Sequence, residues 1–181
     1  MFVRSDLIGL YKWGSVVVFS GFTVLPSMIL VYLRKRIVLG GLDKGFLYGV
    51  LSFVVFSLYV LYFRSNLSIR FGPRLDWFDF VAYCLYISIW VSSVEFGSKY
   101  VVQRLLTERF GDVYGFLGHF LFWICIHVPE YYVNLGLMGS VGSLAFIVLS
   151  GLLTGYIFLR TRNVLGLMVG HSLLNVLLVL F

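Results

Sequence analysis

Charge is the scarcest ingredient of this sequence. Asp, Glu, Lys and Arg make up 12% of its 181 residues, about half the ~25% of a soluble domain. With 60% hydrophobic residues and a mean hydropathy of +0.97, such a chain reads as an integral membrane protein with no separate soluble module. Cysteine is nearly absent as well. Cys84 and Cys125 both fall in apolar runs, which predicts buried small hydrophobes rather than a disulfide. Dense basic runs of the nucleic-acid-binding kind are also missing. The net charge of +6 is spread among the segments between apolar runs, a pattern that suits anchoring against anionic lipid. No small-residue cleavage site follows the first apolar run, and that run is long for a signal peptide. Repeats and low-complexity tracts are absent. So are His-Glu-x-x-His and Gly-x-Ser-x-Gly, the signatures of a zinc-protease helix and of a serine nucleophile elbow.

What is present is a series of apolar runs near the ~20 residues that a spanning helix needs. Trp13–Leu33 is charge-free and ends at Arg34-Lys35-Arg36, with Pro26 a candidate kink. Gly45–Phe63 is the second run, followed by a polar connector from Arg64 to Asp76. Trp77–Val94 is the third. From Glu95 to Asp112 the pattern changes, with Lys99, Gln103 and Thr107 recurring every four residues among apolar neighbours. That segment predicts an amphipathic helix at the membrane boundary or against the bundle. Val113–Pro129 is a short fourth span. Tyr131–Leu159 predicts a break near Gly136, Gly139 and Gly142, then a fifth span, with a basic turn at Arg160-Thr161-Arg162. Asn163–Phe181 is the sixth. The expectation is an all-α polytopic transmembrane bundle of about six spans plus an amphipathic helix. It forms one integral domain over 1–181 and sits as a multi-pass protein in the plasma membrane. The basic residues after spans one, three and five place both termini outside, whereas the three arginines after span two argue the opposite.

Ionisable groups within spanning segments are costly and mark functional sites by default. Four stand out: Glu95, His119, His127 and His171. Glu95 and Lys99 lie four apart with the acid first, the favourable order for a helical pair. They read either as a structural ion pair or as a carboxylate poised as a general base. Trp123 and His127 share a face just before Pro129, and His127 alone reads as an interhelical hydrogen-bonding residue. His119 reads the same way, and Glu130 as solvated at the membrane surface. His171 and Asn175 share a stripe of the last span, ~6 Å apart along the axis. An unpaired polar group buried there costs roughly 1–3 kcal/mol, so the pair requires either a hydrogen-bonding neighbour or an active site. Glu95 with two histidines lacks the spacing of a zinc site, and no metal or cofactor is expected.

Three of these stations form a pattern. The chain resembles the CPBP family, the CAAX-protease and bacteriocin-processing (Abi) intramembrane proteases. That family carries Glu-Glu-x-x-x-Arg, then Phe-x-x-x-His, then His-x-x-x-Asn/Asp on separate helices. The third is intact as His171-Ser-Leu-Leu-Asn175, with a family-like lead-in from Gly151 to Gly166. The second is Trp123-Ile-Cys-Ile-His127-Val-Pro129, with Trp for Phe. The first is Val94-Glu95-Phe-Gly-Ser-Lys99-Tyr, aligned by the downstream Arg109-Phe110-Gly111. Val94 then stands at the first Glu, Glu95 at the second and Lys99 at the Arg. Shifting by one makes Glu95 the first Glu but puts Phe96 and Tyr100 at the other two positions.

The resemblance covers 77–181 as a CPBP-like core, with 1–76 as two additional spanning helices and a connector. It implies catalytic roles for Glu95, His127, His171 and Asn175. Glu95 and His127 would activate water, and His171 with Asn175 would bind the oxyanion, donors often worth ~3–4 kcal/mol of barrier each. The implied activity is hydrolysis of a peptide bond in a membrane-associated protein or peptide, in contact with membrane lipid. The alternative is an inactive relative acting as scaffold or subunit, with a protein partner in a membrane complex. A small transporter using the histidines as a proton path is a third reading, but only apolar residues follow Asn175.

Overall fold

The structure, a computed structural model, describes residues 21, 25–33, 38–67, 77–135 and 140–180. All regular elements among them are helices: α1 (Leu25–Tyr32), α2 (Lys44–Leu67), α3 (Trp77–Glu95), a π-helical segment (Phe96–Gln103), α4 (Arg104–Phe110), α5 (Asp112–Leu135), α6 (Ser140–Thr161) and α7 (Leu165–Leu180). Most of the first expected span, the Arg34-Lys35-Arg36 cluster, most of the Arg64–Asp76 connector and the glycines at 136 and 139 lie outside the described residues. Among the described residues two stretches can cross a membrane by length and composition, Phe80–Phe110 and Leu144–Thr161, while Lys44–Tyr59 and Leu165–Leu177 are shorter apolar helices.

Two boundaries differ from the sequence reading. The chain does not break at Glu95. α3, the π segment and α4 form one helix, and residues Phe96 to Val101 and Gln103 are buried. The stripe of Lys99 and Gln103 therefore faces inward and not toward headgroups. The expected span ending at Pro129 instead runs as α5 to Leu135, straight through the proline. The side chain of Glu130 lies outside the described residues. Both cysteines are free, but Cys125 is exposed and Cys84 half-buried, in place of the expected burial.

α2 and α7 approach most closely where both carry glycines four apart, Gly45/Gly49 and Gly166/Gly170. A Cβ on Gly49 would stand 2.6 Å from the backbone of Gly166, and one on Gly166 would stand 2.4 Å from the Phe46 carbonyl oxygen. Small residues at this spacing let helix backbones approach in lipid, where packing replaces the hydrophobic effect as the driving force. Phe53, Phe96, Tyr100, Phe158, Leu167 and Leu174 fill the apolar core around that contact.

The ends of these helices are tied together. α6 stops where Arg162 adopts a left-handed φ of 55°, a common helix termination. Asn163 then donates to the Gly41 carbonyl at 2.7 Å and to Asp43 Oδ1 at 2.8 Å, while its own Oδ1 accepts from the Gly166 amide at 3.1 Å. Asp43 also accepts from the Phe46 amide, capping α2. That amide foremost, helped by the Asn163 amide, holds the Asp43 carboxyl below its ordinary value against the opposing effect of desolvation.

Candidate active site

The π segment decides which side chains meet. Four residues on an α-helix overshoot a turn by ~40°, so three such steps drift by ~120°. A π-helix, with about 4.4 residues per turn, falls short by roughly 30° per four residues. Glu95, Lys99, Gln103 and Thr107 cross from π to α geometry, so the drifts largely cancel and the four stay on one face. On α5, His119, Trp123 and His127 also recur every four residues and meet that face. Gly151 and Gly155 of α6 make room for them. A Cβ on either would lie 2.5 Å from Trp123 Cδ1 or His119 Cδ2, respectively.

At the centre, the fully buried Glu95 carboxylate accepts from His171 Nδ1–H at 2.8 Å through Oε1 and forms an ion pair with Lys99 through Oε2. The Lys99 ammonium lies over the Trp123 ring at 4.3 Å, so a buried cation meets both a carboxylate and a π face. Trp123 is fixed by donating Nε1–H to the Ile147 carbonyl at 3.1 Å. His127 stacks on Trp123, centroids 4.0 Å apart, and donates Nδ1–H to the Trp123 carbonyl at 2.9 Å. The rings of His127 and His171 lie 6.3 Å apart at 23°. Asn175 Nδ2 donates to the His171 carbonyl at 3.1 Å.

The consequence is a definite tautomer for each histidine. A carbonyl or carboxylate can only accept, so both Nδ1 atoms carry hydrogen. In the neutral rings each Nε2 lone pair is left to meet water or substrate. The same second-partner logic orients imidazoles in hydrolases and metal sites.

The structure thus brings Glu95, His127 and His171 to one place, but Glu95 bonds His171 rather than His127. Glu95 Oε1 meets His171 of α7, and Oε2 meets Lys99. Asn175 is one turn beyond His171 and holds its own helix backbone. His119 is set apart, with Nε2 3.3 Å from the Gly151 carbonyl oxygen. Phe53 of α2 stacks on His171 at 4.7 Å and 7°. Sequence reasoning missed this residue, because nothing in an apolar run marks which phenylalanine faces a distant histidine. Gln103 was legible only as one step of a four-residue stripe. Among the described residues no cluster of three His, Cys, Asp or Glu is set to hold a metal ion.

The family model described as type II CAAX prenyl endopeptidase Rce1-like matches residues 76–177. This chain belongs to that family. The match spans Glu95, His127, His171 and Asn175 and leaves out α2, so Phe53 reaches the site from beyond the family region. As a member of this CAAX-protease family the chain is an all-helical, membrane-embedded protein of the protease type, in a membrane and peptide-substrate context. Comparison with curated proteins and with solved structures gave no match.

Proposed function

We propose that the protein is an intramembrane endopeptidase that hydrolyses a peptide bond of a membrane-associated substrate without a covalent intermediate. The proposal extends to a multi-pass domain of about six spans over 1–181 in the plasma membrane. The observation that carries it is the buried Glu95–His171 hydrogen bond beside the parallel ring of His127. The carboxylate fixes the His171 ring and the Trp123 carbonyl fixes the His127 ring, each through Nδ1, inside the family-matched stretch.

In this reading a water sits between the two rings. His127 Nε2 takes a proton as the water oxygen attacks the scissile carbonyl carbon. His171, protonated at Nε2, donates to the oxyanion, and Glu95 balances the charge of that imidazolium. Asn175 has a second amide hydrogen for the same oxygen. When the carbon–nitrogen bond breaks, the proton on His127 passes to the leaving amine. Glu95 acts here through His171, because both its oxygens are engaged.

That last fact also favours the second reading. With Val94 at the first-Glu position and Glu95 sealed by Lys99, the chain would be an inactive relative serving as a subunit of a membrane complex. One experiment separates them. Full-length protein in bilayers is incubated with a broad panel of membrane-associated peptides in 18O-labelled water. An endopeptidase gives products with one labelled carboxylate oxygen, and His171→Ala lowers the rate by ~10²-fold or more. No cleavage by folded wild type across the panel overturns the enzyme reading.

A further inference from the structure

Below the site, between the π segment, α5 and α6, runs a seam of polar atoms that the proposed chemistry does not use. Gln103 Oε1, Thr107 Oγ1 and His119 Nδ1 are each buried with no hydrogen-bond partner among the described residues. Gln103 and His119 are wholly inaccessible from outside. An unsatisfied buried polar group costs ~1–3 kcal/mol, and three in one seam require a common explanation.

The orientation of two of them is fixed. Gln103 donates Nε2–H to the Gly155 carbonyl at 2.8 Å, so its Oε1 must point the other way. A flipped amide would set oxygen against oxygen. His119 Nε2–H faces the Gly151 carbonyl, so Nδ1 of the neutral ring is a bare acceptor. Two acceptors without donors, near the Thr107 hydroxyl, call for a small group with two hydrogens to give. A cation does not fit, because no carboxylate lines this stretch and the Lys99 ammonium stands at its inner end. Water fits, since buried waters settle where two to four polar groups converge.

The spacing makes such waters continuous. Successive polar side chains on the stripe are four residues apart, or ~6 Å along the helix where it is α-helical and less within the π segment. One water making two hydrogen bonds of ~2.8 Å spans that gap. The inner end is Lys99, bonded to Glu95 and so to His171. The outer end is Thr107, one turn from Gly111, where Glu108, Arg109, Phe110, Gly111 and Asp112 are all exposed. Gly111 turns there with a φ of 95°. The charges at that turn mark a water-facing end.

We infer that this seam is a hydrated column. Gln103 and His119 are positioning residues that hold waters between the Gly111 end of the bundle and the Glu95–His171 pair, and the column supplies the water consumed in hydrolysis. The supply role rests on the proposed endopeptidase reading, but the hydration does not. This separates the column from an ordinary polar interface, in which the side chains would satisfy one another.

The test is hydroxyl-radical footprinting of the full-length protein in nanodiscs, in 18O-labelled water, with side-chain oxidation mapped by mass spectrometry. His119 is equally buried as Phe158, which lies in the apolar core. A hydrated seam gives His119 about tenfold more labelled oxidation than Phe158, because radicals form from waters already in contact. Gln103→Leu and Thr107→Val each lower His119 oxidation several-fold, and in an active enzyme lower kcat with KM unchanged. Wild-type His119 oxidised no more than Phe158 overturns the column, whatever the variants do. Undiminished oxidation in Gln103→Leu overturns the role of Gln103. An active enzyme with a dry His119 refutes the column alone. A wet seam in a protein that cleaves nothing leaves the column standing and refutes the enzyme reading.

Discussion

Two seams of the bundle are made of opposite materials. Between α2 and α7, Gly49 and Gly166 bring backbone against backbone with no room for a methyl group. Between the π segment, α5 and α6, the contact is a buried ion pair, an amide, a tryptophan and a histidine. The first seam contributes position and the second contributes chemistry. His171 belongs to both. Its ring face lies on Phe53 from the glycine side, and its Nδ1 is held by Glu95 from the polar side. A side chain gripped by two dissimilar surfaces has one orientation available, which a site needs and which neither seam supplies alone.

The largest expected effect comes from breaking the polar seam at its charge. Glu95→Gln leaves the Lys99 ammonium buried without a carboxylate and replaces the charged acceptor of His171 with a neutral amide oxygen. Losing one partner of a buried pair costs about 3–5 kcal/mol. Thermal unfolding in detergent should register a stability loss of that size, together with loss of any peptidase activity. Glu95→Gln combined with Lys99→Met sharpens the contrast. The double variant should recover most of the stability, because no charge is stranded, yet recover no activity. If stability and activity return together, Glu95 is structural only. If Lys99→Met alone is harmless to both, the pair is not what holds Glu95 in place.

Breaking the apolar seam is the next largest. Gly166→Ala puts a methyl group against the Phe46 backbone, which cannot swing aside as a side chain does. Overpacking of this kind costs about 1–3 kcal/mol. The expected signature is a lower unfolding temperature plus loss of the Phe53–His171 stack, read from the chemical shifts of the labelled His171 ring. An unchanged ring with lowered stability would mean that the glycine seam holds α7 but does not aim His171.

How much of this was legible follows the same division. The polar side chains announced themselves, because an acid, a lysine and histidines are conspicuous in apolar runs. Glu95 and Lys99 were legible as neighbours on one face, and the His171–Asn175 stripe as one turn of helix, since both are local consequences of helical spacing. The partners were not legible. That Glu95 meets α7 before α5 depends on how distant helices pack, and that in turn depends on glycines whose partners no single run reveals. The π segment explains the misplaced boundary at Glu95. Its polar residues mimic an amphipathic surface helix, because a stripe with constant four-residue spacing looks alike whether it faces headgroups or a buried partner. That constancy over Glu95, Lys99, Gln103 and Thr107 is itself a readable signal, since a pure α-helix would carry the stripe a third of the way round.

The smallest expected effect tests where the two seams are joined at their ends. Asp43 caps α2 and accepts from Asn163 at the head of α7, so it ties the glycine seam together from outside the apolar stretch. The Phe46 amide foremost, then Asn163, hold its carboxyl below the ordinary value of 3.8. A carboxylate lowered on folding contributes stability that is fully present above its unfolded value and is lost as pH falls through the folded one. The protein should therefore lose a small increment of stability as pH drops below ~4, and Asp43→Asn should remove that pH dependence while weakening the protein slightly at pH 7. Unfolding curves of both proteins across this range make the measurement. Asp43→Asn should leave the Glu95–His171 pair untouched, because the two lie at different levels of the bundle. A pH-dependent loss of activity that persists in Asp43→Asn then belongs to the polar seam, and one that vanishes with it shows that the seams are coupled through the end of α7.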